Sequence, residues 1–165
     1  MAQLSIITVN FRSAEALKRS LASVATLSGE TELEWIVVNN SAEERARARK
    51  LEFPARLGHH LIIENANNAG FGVACNQGSA QATGRNLLFL NPDCLFSGGS
   101  LRGIMRHMEK DNRMGAVGPK IRDADGNLEF SWADFPGIFS EAKLKWEKRR
   151  AAGSARLRAR MEERL

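Results

Sequence analysis

The sequence predicts an α/β fold: a three-layer, mostly parallel sheet with helices on both faces. Three observations predict it. Apolar runs of strand length alternate with stretches of helical periodicity, in the order β-α-β-α-β-α-β-α-β from residue 4 to residue 121. The runs are almost continuously apolar rather than alternating, as strands covered on both faces require. Most of them end in polar side chains: Asn10, then Asn39-Asn40, then the Asn65–Gly70 cluster, then Asn91 and Asp93. In a doubly wound sheet those ends share one edge, and ligands bind there.

Leu4–Asn10 opens the chain as a β-branched strand. Ser13 is placed to cap the next helix, with Glu15 in its first turn and Leu17, Leu21 and Val24 on one apolar face. Glu34–Asn40 is the second strand. Ser41 is placed to cap a solvent-facing helix, acidic at its start and basic further on, which suits the helix dipole. Leu61–Ile63 is a short third strand, followed by a turn with three asparagines, Gly70 and Gly72. Glycine there permits positive φ or close approach of a ligand. A helix follows over about residues 71–83, ended by Gly84. Asn86–Leu90 is a buried strand, and the next helix carries Leu101, Ile104, Met105 and Met108. Met114–Ile121 reads as a last extended segment, and Asp123–Asn127 as a turn into a hairpin arm ending at Ser131.

Composition bounds the function. A chain of 165 residues, 43% hydrophobic, suits one domain with a real core. It has no apolar run of about 18 residues and no leader-like N-terminus, and its two cysteines suit a reducing compartment, so a cytoplasmic protein is expected. Cys-x-x-Cys and His-x-x-x-His are absent, which excludes the common structural zinc patterns. From Ser140 onward nine basic residues face four acidic ones, which accounts for the whole net charge of +5. A neutral body argues against a nucleic-acid-binding core. The expected division is a domain over residues 1–136 and a basic amphipathic helical tail over 137–165, where Ile138, Ala142 and Trp146 recur every fourth residue. For that tail a solvated helix, a contact between copies of the chain and a narrow membrane-surface stripe are the alternatives.

The stretch Leu87-Leu88-Phe89-Leu90-Asn91-Pro92-Asp93 organises the candidate site. Pro92 stops the ladder because it has no N–H to donate. A carboxylate at the carboxyl end of such a strand is placed to hold a divalent cation against a nucleotide's phosphates. Read alone, the same residues are equally a strand followed by a turn. The dinucleotide fingerprint after the first strand, the P-loop and the Gly-x-Ser-x-Gly elbow are all missing.

With these residues in place, the chain resembles family 2 inverting glycosyltransferases of the GT-A fold, in particular their rhamnosyltransferase-like branch. The resemblance is carried by Ser5–Phe11, Trp35–Ser41, Asn68–Gly78, Leu88–Asp93, Gly115–Lys120 and Asp125–Leu128, continued by Ser131 and Phe135-Pro136. It implies a Rossmann-like GT-A domain that binds a nucleoside diphosphate sugar. The implied donor-binding residues are Asn10, Asn39, Asn40, Asn68, Gly70, Phe71, Gly72, Asn76, Asn91 and Asp93. Asp93 stands at the family's Asp-x-Asp-like motif and would face Mg2+ or Mn2+. Three departures accompany the likeness. Asn39 stands where most members have aspartate, and Ala133 where the branch commonly has arginine. Residues 139–165 contain no match for the family's acceptor-side acidic motif, so no catalytic base is named. The alternative expectation is an incomplete or non-catalytic donor-binding scaffold, completed by a partner.

Overall fold

A computed structural model describes residues 2–25, 27, 32–97, 100–111, 113–123 and 125–129. The chain divides into two compact units, Met1–Gly115 and Ala116–Leu165. In the first, four parallel strands lie in the order β3-β2-β1-β4: β1 Leu4–Asn10, β2 Leu33–Asn39, β3 Leu57–Glu64 and β4 Asn86–Phe89. β1 and β2 are buried at every residue, which explains their unbroken apolar and β-branched composition.

Alternate side chains of these strands enter two cores. Leu4, Ile6, Leu33, Trp35 and Val37 face one side and meet Leu17, Leu21 and Val24 of α1 (Ala14–Val24), with Leu101 of α4 (Ser100–Glu109). Trp35 satisfies its indole N–H by donating to Thr8 Oγ1 at 3.1 Å and meets Phe96 edge-on. Val9, Ile36 and Val38 face the other side and meet Ala74 and Cys75 of α3 (Phe71–Gln81). Burial among these apolar groups pushes the Cys75 thiol pKa up.

Several expectations change. The helix after Ser41 is a 3-10 turn, Ala42–Glu44, running into a single turn of α2, Arg45–Ala48. It is not simply solvent-facing, since Glu44 and Ala48 are buried. The strand expected to be buried, β4, lies at the edge of the sheet among the described residues and is covered on one face only: Leu88 and Leu90 pack into the core, whereas Leu87 and Phe89 are exposed. A run of four apolar residues does not say which faces will be covered; that depends on where the helices lie. The predicted fifth strand is not formed at Met114–Lys120, so the described sheet has three crossovers rather than four. In the second unit, β5 Ile121–Arg122 and β6 Leu128–Glu129 pair antiparallel, as the turn at Asp123–Asn127 predicted. Gly126 takes φ +82° in that turn, and the Asp123 carboxylate accepts the backbone N–H groups of Asp125 and Asn127. The tail assigned to residues 137–165 lies outside the described residues.

Gly84 does not terminate α3 as expected; Ala82, in extended backbone, already does. Glycine is required at 84 because the α3–β4 connection presses on β1. There the buried Glu34 carboxylate accepts the Ser5 hydroxyl, the Thr83 N–H and hydroxyl, and the Gly84 N–H. Burial pulls the Glu34 pKa upward, but these donors together outweigh it and hold the carboxyl below its ordinary 4.5.

A methyl group at residue 84 would lie 2.6 Å from Ser5 N and 2.9 Å from the Leu4 carbonyl carbon, both fixed backbone. At residue 78 it would meet Ile7 Cγ2 at 2.6 Å, a buried side-chain methyl rather than backbone. Gly84→Ala is therefore expected to lose about 2–3 kcal/mol. Gly78→Ala should lose less, because alanine returns about 1 kcal/mol of helix propensity. Urea midpoints of the two variants test the order. For Glu34, a carboxyl depressed in the fold takes up protons more readily when unfolded, so its contribution is complete above about pH 4.5 and fades as pH falls through the lower folded value. Urea stability measured from pH 7 to pH 3 should fall below pH 4.5 in the wild type. In Glu34→Gln it should start lower and fall less.

Candidate functional site

The strand order reverses at β1, between β2 on one side and β4 on the other. Helices α1 and α3 cover opposite faces of the sheet. A crevice at the carboxyl ends of the strands follows from that topology. It has a volume of about 770 Å³.

Its floor begins as a side-chain seam along the strand ends. Asn10, Asn39 and Glu64 are register partners on β1, β2 and β3. Asn10 Nδ2 donates to Asn39 Oδ1 at 2.9 Å, and Asn39 Nδ2 donates to Glu64 Oε2 at 2.8 Å. Asn39 also donates to the Ser41 carbonyl and accepts the Ser41 N–H, both at 3.1 Å. Arg45 and Arg49 lie 3.3 and 3.5 Å from the Glu64 carboxylate, so the charge at the end of the seam is compensated.

The seam also places α1. Ser13 does not cap that helix: its hydroxyl donates instead to Asn10 Oδ1 at 3.0 Å. The cap comes from Glu44, whose Oε2 accepts the Ala14 N–H at 3.3 Å and Asn10 Nδ2 at 3.2 Å. A carboxylate is favoured at the positive end of a helix, by up to about 1–2 kcal/mol when partly buried. Arg12, in the turn before α1, adopts φ +55°. Its N–H reaches Ser41 Oγ at 2.6 Å, and its guanidinium pairs with Glu43 at 2.8 Å.

Across the crevice, Gly70 takes φ +84° at the start of α3. Asn68 Oδ1 accepts the Gly70 N–H at 2.9 Å, and Asn40 Nδ2 donates to Asn68 Oδ1 and to the Gly70 carbonyl. Asn65 joins Asn40 to Gln77, donating to Asn40 Oδ1 at 2.7 Å and exchanging two amide bonds with Gln77. These contacts explain the run of asparagines after β3: they shape the turn and tie it to β2.

Of the ten residues expected at the site, Asn40, Asn68, Gly70, Phe71, Asn91 and Asp93 line the crevice. Asn10 and Asn39 lie beneath it, fully buried in the seam, while Gly72 and Asn76 are exposed on α3 away from the lining. Six charged or aromatic residues that sequence reasoning did not name for the site also line the space: Phe11 and Arg12 of the turn after β1, Glu15 and Arg19 of α1, Glu44 of the 3-10 turn and Arg47 of α2. Phe11 and Arg12 directly follow a polar strand end, which was the available signal; the buried role of Glu44 carried none. The lining thus has three arginines and three carboxylates, with Arg12 paired to Glu43 and Arg47 near Glu44 at 3.6 Å.

The sequence profile of Glycosyl transferase family 2 matches residues 5–161. The chain belongs to glycosyltransferase family 2. Two curated relatives, the N-acetylglucosaminyl-diphospho-decaprenol L-rhamnosyltransferases of Mycobacterium tuberculosis strains CDC 1551 / Oshkosh and ATCC 25618 / H37Rv, are each 25% identical over 146 residues. The alignment covers 82% of this glycosyltransferase-family chain and 46% of each relative, so the chain spans about half their length. Among solved structures, S. aureus TarS 1-349 superposes with a TM-score of 0.56 at 22% identity, over 66% of this chain and 32% of TarS 1-349. Its complex with UDP-GlcNAc superposes equally well, at 22% identity, over 66% of this chain and 31% of that one. The fold of this family 2 member is thus a Rossmann-like GT-A parallel sheet, with the crevice at its switch point.

The Asn39–Glu64 contact makes a specific prediction. Asn39→Asp would set two carboxylates against each other where an amide now donates at 2.8 Å. A loss of about 2–4 kcal/mol is expected at pH 7. Part of it should return toward pH 4, as one carboxyl takes up a proton. Urea unfolding at the two pH values measures both effects.

Proposed function

We propose that this chain binds a nucleoside diphosphate sugar in the switch-point crevice and serves as the donor side of an inverting glycosyl transfer to an acceptor hydroxyl. One observation carries the reading: Asp93 lines the same crevice as Asn40, Asn68, Gly70 and the start of α1. Its side chain is exposed and makes no hydrogen bond or ion pair among the described residues.

Among the described residues there is no group of three His, Cys, Asp or Glu side chains that could hold a divalent cation. An exposed single carboxylate on the lining of the crevice suits Mg2+ or Mn2+ shared with the ligand, since such ions keep few protein ligands and take the rest from phosphate and water. Asp93 would hold the cation, and the cation would supply charge neutralisation to the departing diphosphate. The chain's own residues do the positioning. Asn40 and Asn68 fix the Gly70 turn against β2, and Glu44 fixes the start of α1. The two walls of the crevice are therefore set before a ligand arrives, which lowers the cost of ordering them.

The likeness to L-rhamnosyltransferases acting on a polyprenyl diphosphate-linked sugar supports a deoxyhexose donor and a lipid-linked acceptor as the finer reading. Donor binding without transfer is the second reading. It is favoured by the state of two of the three crevice carboxylates: Glu44 is already engaged by Asn10 and Ala14, and Asp93 is assigned to the cation, which leaves Glu15 in the first turn of α1.

Titration calorimetry with a nucleoside diphosphate and Mn2+ tests the donor site. Binding should require the metal, and Asp93→Asn should weaken it by about 10–100-fold, in the range of other losses at metal sites, without changing the urea midpoint. Metal-independent binding, or an unchanged affinity in the variant, would overturn the assignment. Release of nucleoside diphosphate on adding a lipid-linked acceptor separates transfer from binding alone.

A further inference from the structure

Two of the three arginines that line the crevice have counter-ions. Arg12 pairs with Glu43 at 2.8 Å, and Arg47 lies 3.6 Å from Glu44. The third, Arg19 of α1, is exposed and makes no hydrogen bond or ion pair among the described residues. Nor does Glu15, one helical turn before it on the same lining, although opposite charges four residues apart on a helix can pair. Ser13, at the head of this wall, already gives its hydroxyl to Asn10. The α1 wall therefore presents one open carboxylate and, beyond it, one open guanidinium.

This is not the wall that the donor reading uses. α1 and α3 cover opposite faces of the sheet, so Glu15 and Arg19 stand across the crevice from Asn68 and Gly70 at the start of α3. α1 starts just past the carboxyl end of β1 and packs back over the sheet. At 1.5 Å per residue, Arg19 lies about 6 Å further along it from the strand ends than Glu15. The donor's diphosphate is assigned to Asp93 and its cation, and needs no arginine. A guanidinium left open in the same crevice suits a second anion, and its planar fork matches two phosphate oxygens at once. An acceptor carried on a prenyl diphosphate brings such an anion. Among the described residues there is no second cation-holding cluster to meet it.

We propose that Arg19 anchors the diphosphate of a lipid-linked acceptor, at an anion site in the crevice separate from the donor's. The order of groups along α1 gives the acceptor a direction. Its phosphates lie outermost, at Arg19, and its sugar hydroxyls lie beside Glu15, nearer the strand ends where the donor binds. This rests on the lipid-linked acceptor reading above.

The test is titration calorimetry of the whole chain with geranyl diphosphate, a short and soluble prenyl diphosphate. It should bind without metal, when Asp93 has no cation to offer. Arg19→Gln should weaken that binding by about tenfold, the low end for a hydrogen bond to a charged group. Lys18→Gln removes a neighbouring exposed charge that does not line the crevice, and should leave the affinity unchanged. With UDP and Mn2+ at saturation geranyl diphosphate should still bind, and UDP should bind Arg19→Gln as tightly as the wild type. No metal-free binding, an equal loss in Lys18→Gln, displacement of UDP by geranyl diphosphate, or weaker UDP binding in Arg19→Gln overturns the proposal. Failure of UDP and Mn2+ to bind, with geranyl diphosphate still dependent on Arg19, overturns the donor reading and leaves the Arg19 site standing.

Discussion

The seam from Asn10 through Asn39 to Glu64 is the constraint on which the rest of the structure depends. Three parallel strands end at one register level; Asn10 and Asn39 are fully buried there, and Glu64 is half-buried. An unmatched amide there would cost about 1–3 kcal/mol, so each side chain must find its partner on the neighbouring strand. The bonds lock register across the sheet at the level of the crevice. Because Asn10 also binds Glu44 and Ser13, the same seam sets where α1 begins and how the turn into α2 lies against it.

The opposite end of the sheet has its own polar node. Glu34, the second residue of β2, gathers the Ser5 hydroxyl and the Thr83-Gly84 backbone. It anchors the connection from α3 to β4 and so fixes where β4 leaves for Asn91 and Asp93. Between the two nodes β1 and β2 are buried at every residue, with Gly78 letting α3 approach Ile7 and Val38. The crevice is therefore held by rigid elements, although every residue facing it lies on a turn, a strand end or a helix face bordering the opening.

A division of labour follows within the site. The buried amides spend their N–H groups on one another and on neighbouring turns, and with Glu44 they shape the crevice. Phe11, Asn68, Asn91 and Asp93 line it. Membership of glycosyltransferase family 2 is consistent with this arrangement: the topology supplies the crevice, and a small set of rim side chains supplies the chemistry.

What the sequence determined by itself was the alternation of strands and helices, the buried character of β1 and β2, the glycine turn before α3 and the place of Asp93 just beyond the end of β4. Each is local: composition over five to ten residues, or a backbone conformation that glycine favours. Tertiary structure decided the rest. Whether Leu87 and Phe89 are covered depends on where the helices lie over β4, and which amides face the crevice depends on partners about 25–30 residues distant, as with Asn10 and Asn39. Ser13 and Glu44 make the reason plain. The local pattern favours the serine as the cap, but the fold brings a charged carboxylate to the same N–H from a different element, and no short-range signal records that meeting.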